Sequence, residues 1–384
     1  MTISNLTLSP TERDSLITLT QRLIQFQTED PPGEDIEMAQ FLHHTLQSWG
    51  FETHLDEFEP GRANVIARLR GDGSAPGLAF SAHNDTTTLG LHPWDYPPFG
   101  GEVHDGKLYG RGAADMKGGM AAMMVAARKA SQWSESLKGD LILAFASSHS
   151  SNCSGAKRMV ETNGLEGAGA IVISEPTSLG VLIAETGTWW VRAMAKGIPG
   201  HAAWCTTPSY NAILNITDLV QKLRHFEFDV KPHPLLGSPT LRVGLISGGR
   251  AIAQTPDHAE IGLDIRFLPG METSEMLATL QEIAGPDIRF ETIDWKPPVE
   301  MAVDHPLVQL AVDACAWRLG KAPQPKGVSY YSDGVILTPG LNIPRVIIGP
   351  GELGQSGQRN EYVEIESLVA SAEIYAWMAH TLLV

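Results

Sequence analysis

The sequence has few cysteines, a deficit of positive charge and no long hydrophobic run. Its 384 residues contain three cysteines, Cys153, Cys205 and Cys315. They are too few and too scattered for a disulfide framework, so a reducing compartment is predicted. The net charge of -16 argues against nucleic acid or an anionic membrane as the main partner. No apolar run approaches the length of a membrane span, and the N-terminus lacks the basic and apolar segments of a signal peptide. These absences predict a cytoplasmic protein that binds neither nucleic acid nor membrane.

One segment of the chain lacks acidic residues. Residues 139–156 read GDLILAFASSHSSNCSGA, which predicts a buried strand followed by a loop. Between Asp140 and Glu161 there is no carboxylate. The loop offers instead an imidazole, several hydroxyls and a thiol. For Cys153 a nucleophile or a soft metal ligand is one interpretation, and a small buried residue is the interpretation that we favour.

The rest of the composition is that of a globular protein long enough for two domains. Hydrophobic residues make up 43% of the chain, and the mean hydropathy is -0.07. The stretch SPTERDSLITLTQRLIQFQ predicts a first helix, with Ser9 as its cap, Pro10 in the first turn and Glu12 three residues after the cap. Short apolar runs (ANVIARLRG, GLAFSAH, LILAFA) alternate with helical segments such as GGMAAMMVAARKASQW. This alternation predicts an α/β layer with helices on both faces.

The pattern changes near residue 185. A strand, a helix, two strands and another helix follow one another, which predicts a compact α+β insert of about 110 residues. The earlier style then returns, with a helix from Pro306 to Leu319, an apolar strand (RVIIGPG) and a last helix from Glu366 to about Leu382. We therefore predict a discontinuous α/β domain of residues 1–184 and 299–384, interrupted by a second domain of residues 185–298.

Several imidazole and carboxylate groups lie where predicted strands end or a helix begins. His83 and Asp85 are two residues apart, so in an extended chain they point the same way. His83 can then bind a metal through one ring nitrogen while Asp85 accepts the proton of the other. Asp115 lies directly before a helix, and Glu175 follows a buried strand at the sheet edge where α/β proteins bind ligands. The alternatives are a surface histidine beside a turn aspartate, a helix cap at Asp115 and a loop-end charge at Glu175.

With HNDTT, YGRGAADMKGG and SEPTS in this order and spacing, the sequence resembles the di-zinc aminoacylase family, which includes acetylornithine deacetylase and succinyl-diaminopimelate desuccinylase. The resemblance extends over nearly the whole chain, through GIPGHAAWCTTPSYNAI, LDIRFLPG and NEYVEIESL. It implies fold class α/β: a mixed-sheet, zinc-peptidase-like catalytic domain with an inserted α+β lid domain that forms a homodimer. It also implies zinc at His83, Asp115 and Glu175. His201 and Arg266 correspond to family residues that bind a small-molecule substrate, Arg266 through a substrate carboxylate.

The sequence departs from this family where the catalytic acid and the second metal are expected. The family carries two adjacent acidic residues in the loop, a general base and a ligand of the second metal. These correspond to His149 and Ser150. The family's histidine ligand near the C-terminus corresponds to Gly357. A second metal held only by Asp115 would be weakly bound, because serine and glycine supply no charged ligand. We therefore predict one zinc ion per chain.

Three classes of function fit these residues. The first is a one-metal amidohydrolase acting on an N-acyl amino acid or a small peptide-like amide. In it Asp85 is catalytic and His149 is the general base, since an imidazole titrates near neutrality. The second is a relative recruited to non-hydrolytic metal-assisted chemistry, such as a lyase, cyclisation or transfer step. The third is a catalytically inactive ligand-binding relative, against which the retention of the metal-ligand positions argues. A solvated His149 in the polar run SSHSSN is the alternative to a catalytic one.

Overall fold

The computed structural model of the protein describes residues 6–205 and 207–384. The chain divides into two compact units. The first unit comprises the chain up to Ile183 together with Met301–Lys326 and Ser332–Val384, and the second comprises Ala184–Glu300 and Gly327–Tyr331. The sequence did not indicate that residues 327–331 join the second unit. The assignment of catalytic and lid roles to the two units stays a prediction.

Helices and strands alternate through both units. The helices are α1 (Pro10–Gln25), α2 (Ile36–Ser48), α3 (Gly118–Ala130), α4 (Ser154–Glu161), α5 (Ala212–Leu223), α6 (Thr273–Ala284), α7 (Pro306–Leu319), α8 (Gly334–Leu341) and α9 (Ile365–Leu383). The strands are β1 (Glu52–Glu59), β2 (Arg62–Leu69), β3 (Gly77–His83), β4 (Glu102–His104), β5 (Lys107–Tyr109), β6 (Leu141–Ala146), β7 (Ala168–Ile173), β8 (Leu182–Glu185), β9 (Gly187–Lys196), β10 (Gly200–His201), β11 (Thr240–Gly248), β12 (Gln254–Thr255), β13 (His258–Phe267), β14 (Ile288–Lys296), β15 (Val299–Glu300), β16 (Lys326–Val328), β17 (Arg345–Ile347) and β18 (Tyr362–Glu364). A π-type turn, Ala113–Lys117, directly precedes α3.

A mixed sheet forms the centre of the first unit. Its strand order is β1-β2-β6-β3-β7-β17-β8. β3 pairs in parallel with β6 and β7, and β7 pairs in parallel with β17. The pairs β1–β2, β2–β6 and β17–β8 are antiparallel. Because parallel strands end at the same edge of a sheet, the residues that follow β3, β6 and β7 meet there.

The local sequence explains these elements. The predicted first helix is confirmed: the amide of Glu12 donates to the Ser9 hydroxyl at 3.3 Å, and the amide of Ser9 donates to the Glu12 carboxylate at 2.7 Å. β3 and β6 are buried along their whole length, as expected for parallel strands covered on both faces. α3 packs against α1 and α9. A Cβ at Gly119 would lie 2.6 Å from the Cβ of Ser174, so a glycine is needed where α3 approaches the end of β7.

The second unit is an antiparallel sheet with helices on one face. Its strand order is β11-β13-β9-β14, and α5 and α6 pack against it. The predicted order of strand, helix, two strands and helix is present, and β14 is an addition that the sequence analysis did not predict. At the sheet edge, Leu245 and Ile246 of β11 are 74% and 63% exposed. An exposed apolar edge strand is a surface that can pair with another chain, but the homodimer stays a prediction.

Two further observations concern the described residues. Within 6–205 and 207–384, no helix has both the length and the apolar character that crossing a bilayer requires. Cys153, Cys205 and Cys315 form no disulfide with one another, and Cys153 and Cys315 are buried.

Candidate active site

His83 is the last residue of β3, and both of its ring nitrogens have oxygen neighbours. Nδ1 lies 2.9 Å from the main-chain oxygen of Asp85, and Nε2 lies 3.1 Å from Oδ1 of Asp115. A carbonyl oxygen only accepts, so Nδ1 carries a proton and Nε2 faces the acidic residues. The predicted acceptor at Nδ1, the carboxylate of Asp85, lies 3.8 Å away. The main-chain oxygen of Asp85 is the nearer acceptor because the strand ends at His83, and a catalytic role for Asp85 stays a prediction.

Asp115 and Glu175 bring two carboxylates to the Nε2 side of His83. The amide groups of Ala114 and Asp115 donate to the carboxylate of Glu361 at 2.9 and 3.0 Å, which fixes the turn that carries Asp115. Glu175 follows the end of β7, and its Oε1 lies 3.9 Å from Nε2 of His83. The structure therefore brings together the three side chains predicted to bind the metal.

The charges around His83 favour a cation. Burial disfavours the protonated imidazole, but the hydrogen bond that it donates to Asp115 and the charges of Asp85, Asp115 and Glu175 outweigh it and raise the pKa of His83 well above its ordinary value. Burial also disfavours the charge of Asp115, yet its hydrogen bond with His83 and the positive charge there lower the pKa of that carboxyl below its usual range. A divalent cation would satisfy the same carboxylates. Imidazole nitrogen and carboxylate oxygen are both zinc ligands, and three protein ligands leave a position open, as catalytic zinc sites do.

The loop of residues 147–153, between β6 and α4, is held by polar contacts. The carboxylate of Asp85 accepts the amide N–H of His149 at 2.8 Å and that of Ser150 at 2.9 Å. The hydroxyl of Ser151 donates to the buried carboxylate of Asp30 at 2.7 Å. These contacts hold the backbone of the SSHSSN run at the edge of the sheet. Asp85 therefore supports the loop through its carboxylate and the ring of His83 through its main-chain oxygen.

His149 lies against His83 at this edge of the sheet. The two rings are stacked, with centroids 4.5 Å apart and planes inclined by 9°. Nδ1 of His149 lies 2.9 Å from Oδ1 of Asp333, and the His149 side chain is 14% exposed. Burial disfavours the charge of Asp333, but the charge and hydrogen bond of His149 lower the pKa of that carboxyl. An ionised Asp333 accepts a proton held at Nδ1, so the lone pair of the neutral ring is on Nε2.

Comparisons with known proteins identify the family. The model of peptidase family M20/M25/M40 matches residues 79–381. The acetylornithine deacetylase of Klebsiella pneumoniae (strain 342) is 30% identical over 334 residues, which cover 83% of this chain and 82% of that protein. The chain belongs to the M20/M25/M40 peptidase family. It is thus a member of a metal-dependent hydrolase family, and the predicted resemblance is confirmed.

Solved structures of M20 proteins share the fold. The M20 metallo-carboxypeptidase Sso-CP2 of Sulfolobus solfataricus has a TM-score of 0.80 at 16% identity, covering 95% of this chain and 98% of that one. The YXEP protein of Bacillus subtilis, a dinuclear metal-binding peptidase, has a TM-score of 0.71 at 18% identity, covering 97% and 99%. These likenesses confirm the predicted mixed-sheet α/β fold.

Two positions at which this M20 member departs from the predicted family pattern lie beside the site. Ser150 contributes its amide to Asp85. Gly357 has a φ of +70° and contributes no side chain. Next to it, the hydroxyl of Ser356 donates to Oδ2 of Asp115. The second oxygen of the Asp115 carboxylate is therefore bound by a hydroxyl group.

The two residues predicted to bind substrate belong to the second unit. His201 is exposed, and its Nδ1 accepts the amide N–H of Ala203 at 3.2 Å. The guanidinium of Arg266 binds both oxygens of Asp264, at 2.8 and 2.9 Å, and donates to the hydroxyl of Thr188 at 2.9 Å. Arg266 is thus paired with a carboxylate of its own strand. A substrate role for either residue stays a prediction.

The sequence analysis did not assign Asp333 or Glu361 to the site. Asp333 is the partner of His149, and Glu361 binds Arg111 at 2.6 Å while it accepts the amides around Asp115. The signal for Asp333 was its place in YYSDG, where an acidic residue precedes a glycine and an apolar run. Glu361 lies in the NEYVEIESL motif, which the sequence offered only as one of the segments that resemble the family.

Proposed function

We propose that this M20 member is a metal-dependent amidohydrolase with one cation, held by His83, Asp115 and Glu175, and with His149 as the general base. The observation that carries the proposal is the buried Asp333 carboxylate 2.9 Å from Nδ1 of His149. A carboxylate at one nitrogen of an imidazole fixes the ring and leaves the other nitrogen to accept a proton. A histidine that was merely solvated would need no such partner.

A divalent cation bound by the three ligands would polarise the amide carbonyl and acidify water. His149 accepts through Nε2 the proton of the water that attacks the carbonyl carbon. Asp333 stabilises the imidazolium that forms, and the imidazolium then donates its proton to the nitrogen of the leaving amine. A general base of this kind contributes about 10²–10⁴-fold in rate.

The substrate class follows from the relatives. We infer an N-acyl amino acid or a small peptide-like amide, since the Klebsiella relative is an acetylornithine deacetylase and the solved neighbours are peptidases. A carboxylate on the substrate would be bound by His201 and Arg266. Because Arg266 is paired with Asp264, binding through Arg266 would have to compete with that pair.

A second role for His149 is as a metal ligand. His83, His149 and Glu175 offer ligand atoms that all lie within 4.8 Å of one another. Removing the imidazole of His149 distinguishes the two roles by whether the protein still binds the cation. A general base can be lost without loss of the cation, whereas a ligand cannot.

The test is His149→Ala, with His44→Ala on the exposed face of α2 as the matched control. Turnover is measured on a panel of N-acyl amino acids and dipeptides, and zinc content by elemental analysis. We expect kcat/KM to fall about 10²–10⁴-fold with zinc content unchanged, and His44→Ala to match the unaltered protein. Loss of zinc together with activity would make His149 a ligand and contradict the base role. A protein that hydrolyses nothing in the panel, yet is thermally stabilised by one of its compounds, would be a binding relative instead.

A further inference from the structure

His149 also belongs to a second cluster of side chains, with Cys153 and Asp333. We propose that His149, Cys153 and Asp333 form a separate binding site for a soft divalent cation of the zinc or cadmium class, and that filling it switches the enzyme off. The binding site stands on its own geometry. Its effect on turnover rests on the proposed role of His149 as the general base.

The geometry of the cluster suits a cation. Nδ1 of His149, Sγ of Cys153 and a carboxylate oxygen of Asp333 all lie within 4.8 Å of one another. Nδ1 is 2.9 Å from the Asp333 oxygen and 3.9 Å from the sulfur. In a tetrahedral zinc site with bonds of about 2.0–2.3 Å, neighbouring ligand atoms lie about 3.3–3.6 Å apart. These two distances lie on either side of this range, and the sulfur and the carboxylate oxygen lie within 4.8 Å of each other, so movements of these side chains would complete three ligand bonds.

The backbone of the loop brings His149 and Cys153 together. The amide of Cys153 donates to the main-chain oxygen of His149 at 3.1 Å, so a single turn joins the two residues. Cys153 is fully buried and Asp333 is 3% exposed. The His149 side chain is 14% exposed, so it is the member of the cluster that solvent reaches most.

The charges also balance. In the metal-free protein a proton lies between His149 and Asp333, and Cys153 carries its own thiol proton. A divalent cation releases the thiol proton to solvent and moves the ring proton of His149 from Nδ1 to Nε2, and the thiolate and carboxylate together neutralise its two charges. The thiolate selects zinc or cadmium over magnesium and calcium, which prefer oxygen ligands. A buried thiol with no such cation remains protonated and inert.

Filling the site removes the base. When Nδ1 binds a cation, the remaining proton of the neutral ring has to be on Nε2, which then has no lone pair for the attacking water. The first equivalent of zinc, at His83, Asp115 and Glu175, therefore activates the enzyme. Excess zinc then inhibits it. No such inhibition would arise if the loop cysteine were only a packing residue.

The test uses the full-length protein loaded with one equivalent of zinc and titrated with cadmium, whose bond to a thiolate gives an ultraviolet charge-transfer band. We expect one further ion per chain, accompanied by the band. In Cys153→Ser the band disappears. The affinity for the further ion falls at least about tenfold, since loss of even an outer-shell partner costs about 10–100-fold. Asp333→Asn lowers the affinity for the further ion in the same way and serves as the second variant if Cys153→Ser does not fold. Cys205→Ser, which removes a thiol of the second unit, keeps the band.

Several results would overturn the site: a band of equal strength in Cys153→Ser, a band lost in Cys205→Ser, or no further ion in the unaltered protein. Inhibition by excess zinc is measured for each variant relative to its own rate at one equivalent. Binding of the further ion without inhibition would refute the switch, and with it the base role of His149, while leaving the binding site intact. Inhibition that disappears in Cys153→Ser supports both.

Discussion

Replacing Asp85 with asparagine tests how the loop that carries His149 is held. Asp85 is 1% exposed, and its two oxygens each accept one amide N–H, from His149 at 2.8 Å and from Ser150 at 2.9 Å. Asparagine keeps one acceptor oxygen. Its NH₂ group must face the other amide N–H, and two hydrogen-bond donors then point at each other.

The magnitude follows from this geometry. A hydrogen bond to a charged acceptor contributes about 1.5–3 kcal/mol, and a buried N–H left without an acceptor costs about 1–3 kcal/mol. Because these two figures describe partly the same loss, we expect Asp85→Asn to lower the free energy of unfolding by about 2–4 kcal/mol. We also expect kcat/KM to fall about 100-fold, since a misplacement of about 1 Å in a catalytic group has that effect.

The assay is urea unfolding of the zinc-loaded protein, with kcat/KM measured on the same preparations. The matched control is Asp95→Asn, in which the same chemical change is made at an aspartate whose side chain is 62% exposed, beside Arg359. We expect the control to change stability by less than about 1 kcal/mol. If Asp85→Asn is no less stable and no less active than the control, the reasoning about the loop is refuted.

Two further predictions concern the buried carboxyl group of Asp35 and the hydroxyl group of Ser356. Burial raises the pKa of Asp35 to about 7. The buried carboxyl therefore destabilises the folded state at any pH at which the unfolded chain would ionise it. This destabilisation is absent below about pH 4 and complete above about pH 7. Asp35→Asn should therefore match the unaltered protein in stability near pH 4 and exceed it near pH 8, by up to about 4 kcal/mol; parallel pH dependences of urea unfolding would contradict this. Ser356→Ala removes the hydroxyl that orients Asp115 and should weaken zinc binding about 10–100-fold in chelator competition, whereas unchanged affinity would show that the hydroxyl does not orient the ligand.

The proximity of the three proposed metal ligands could be predicted from the sequence because their surroundings are regular. His83 ends a wholly apolar strand and Glu175 follows another, and parallel strands of one sheet bring such residues to the same edge. Asp115 lies directly before a helix whose small residues let it pack closely against the sheet. The ends of these elements made the three residues candidates, and the family resemblance selected them as a ligand set.

Other parts of the site lay beyond the sequence for physical reasons. Asp333 is 184 residues from His149 and reaches it only because the chain returns to the first unit after the second one. The two residues share no strand or helix, so no periodicity connects them. The carboxylate of Asp85 was predicted to accept from His83, but it accepts from the amides of the His149 loop. Alternation of side chains holds only within a strand, and β3 ends at His83.

The missed strand β14 has a similar cause. Its burial does not alternate cleanly: among its polar residues, Asp294 and Lys296 are buried, and they bind each other. A buried ion pair within one strand disrupts the pattern of apolar and polar residues on which strand prediction depends.

The measurement that tests the central claim most directly is anomalous scattering from crystals grown with one equivalent of zinc per chain. The account predicts a single zinc peak in contact with Nε2 of His83 and with the carboxylates of Asp115 and Glu175. No peak at that position would contradict it. So would a second peak of equal height, bound through the other oxygen of Asp115 and lying beside Ser150 and Gly357.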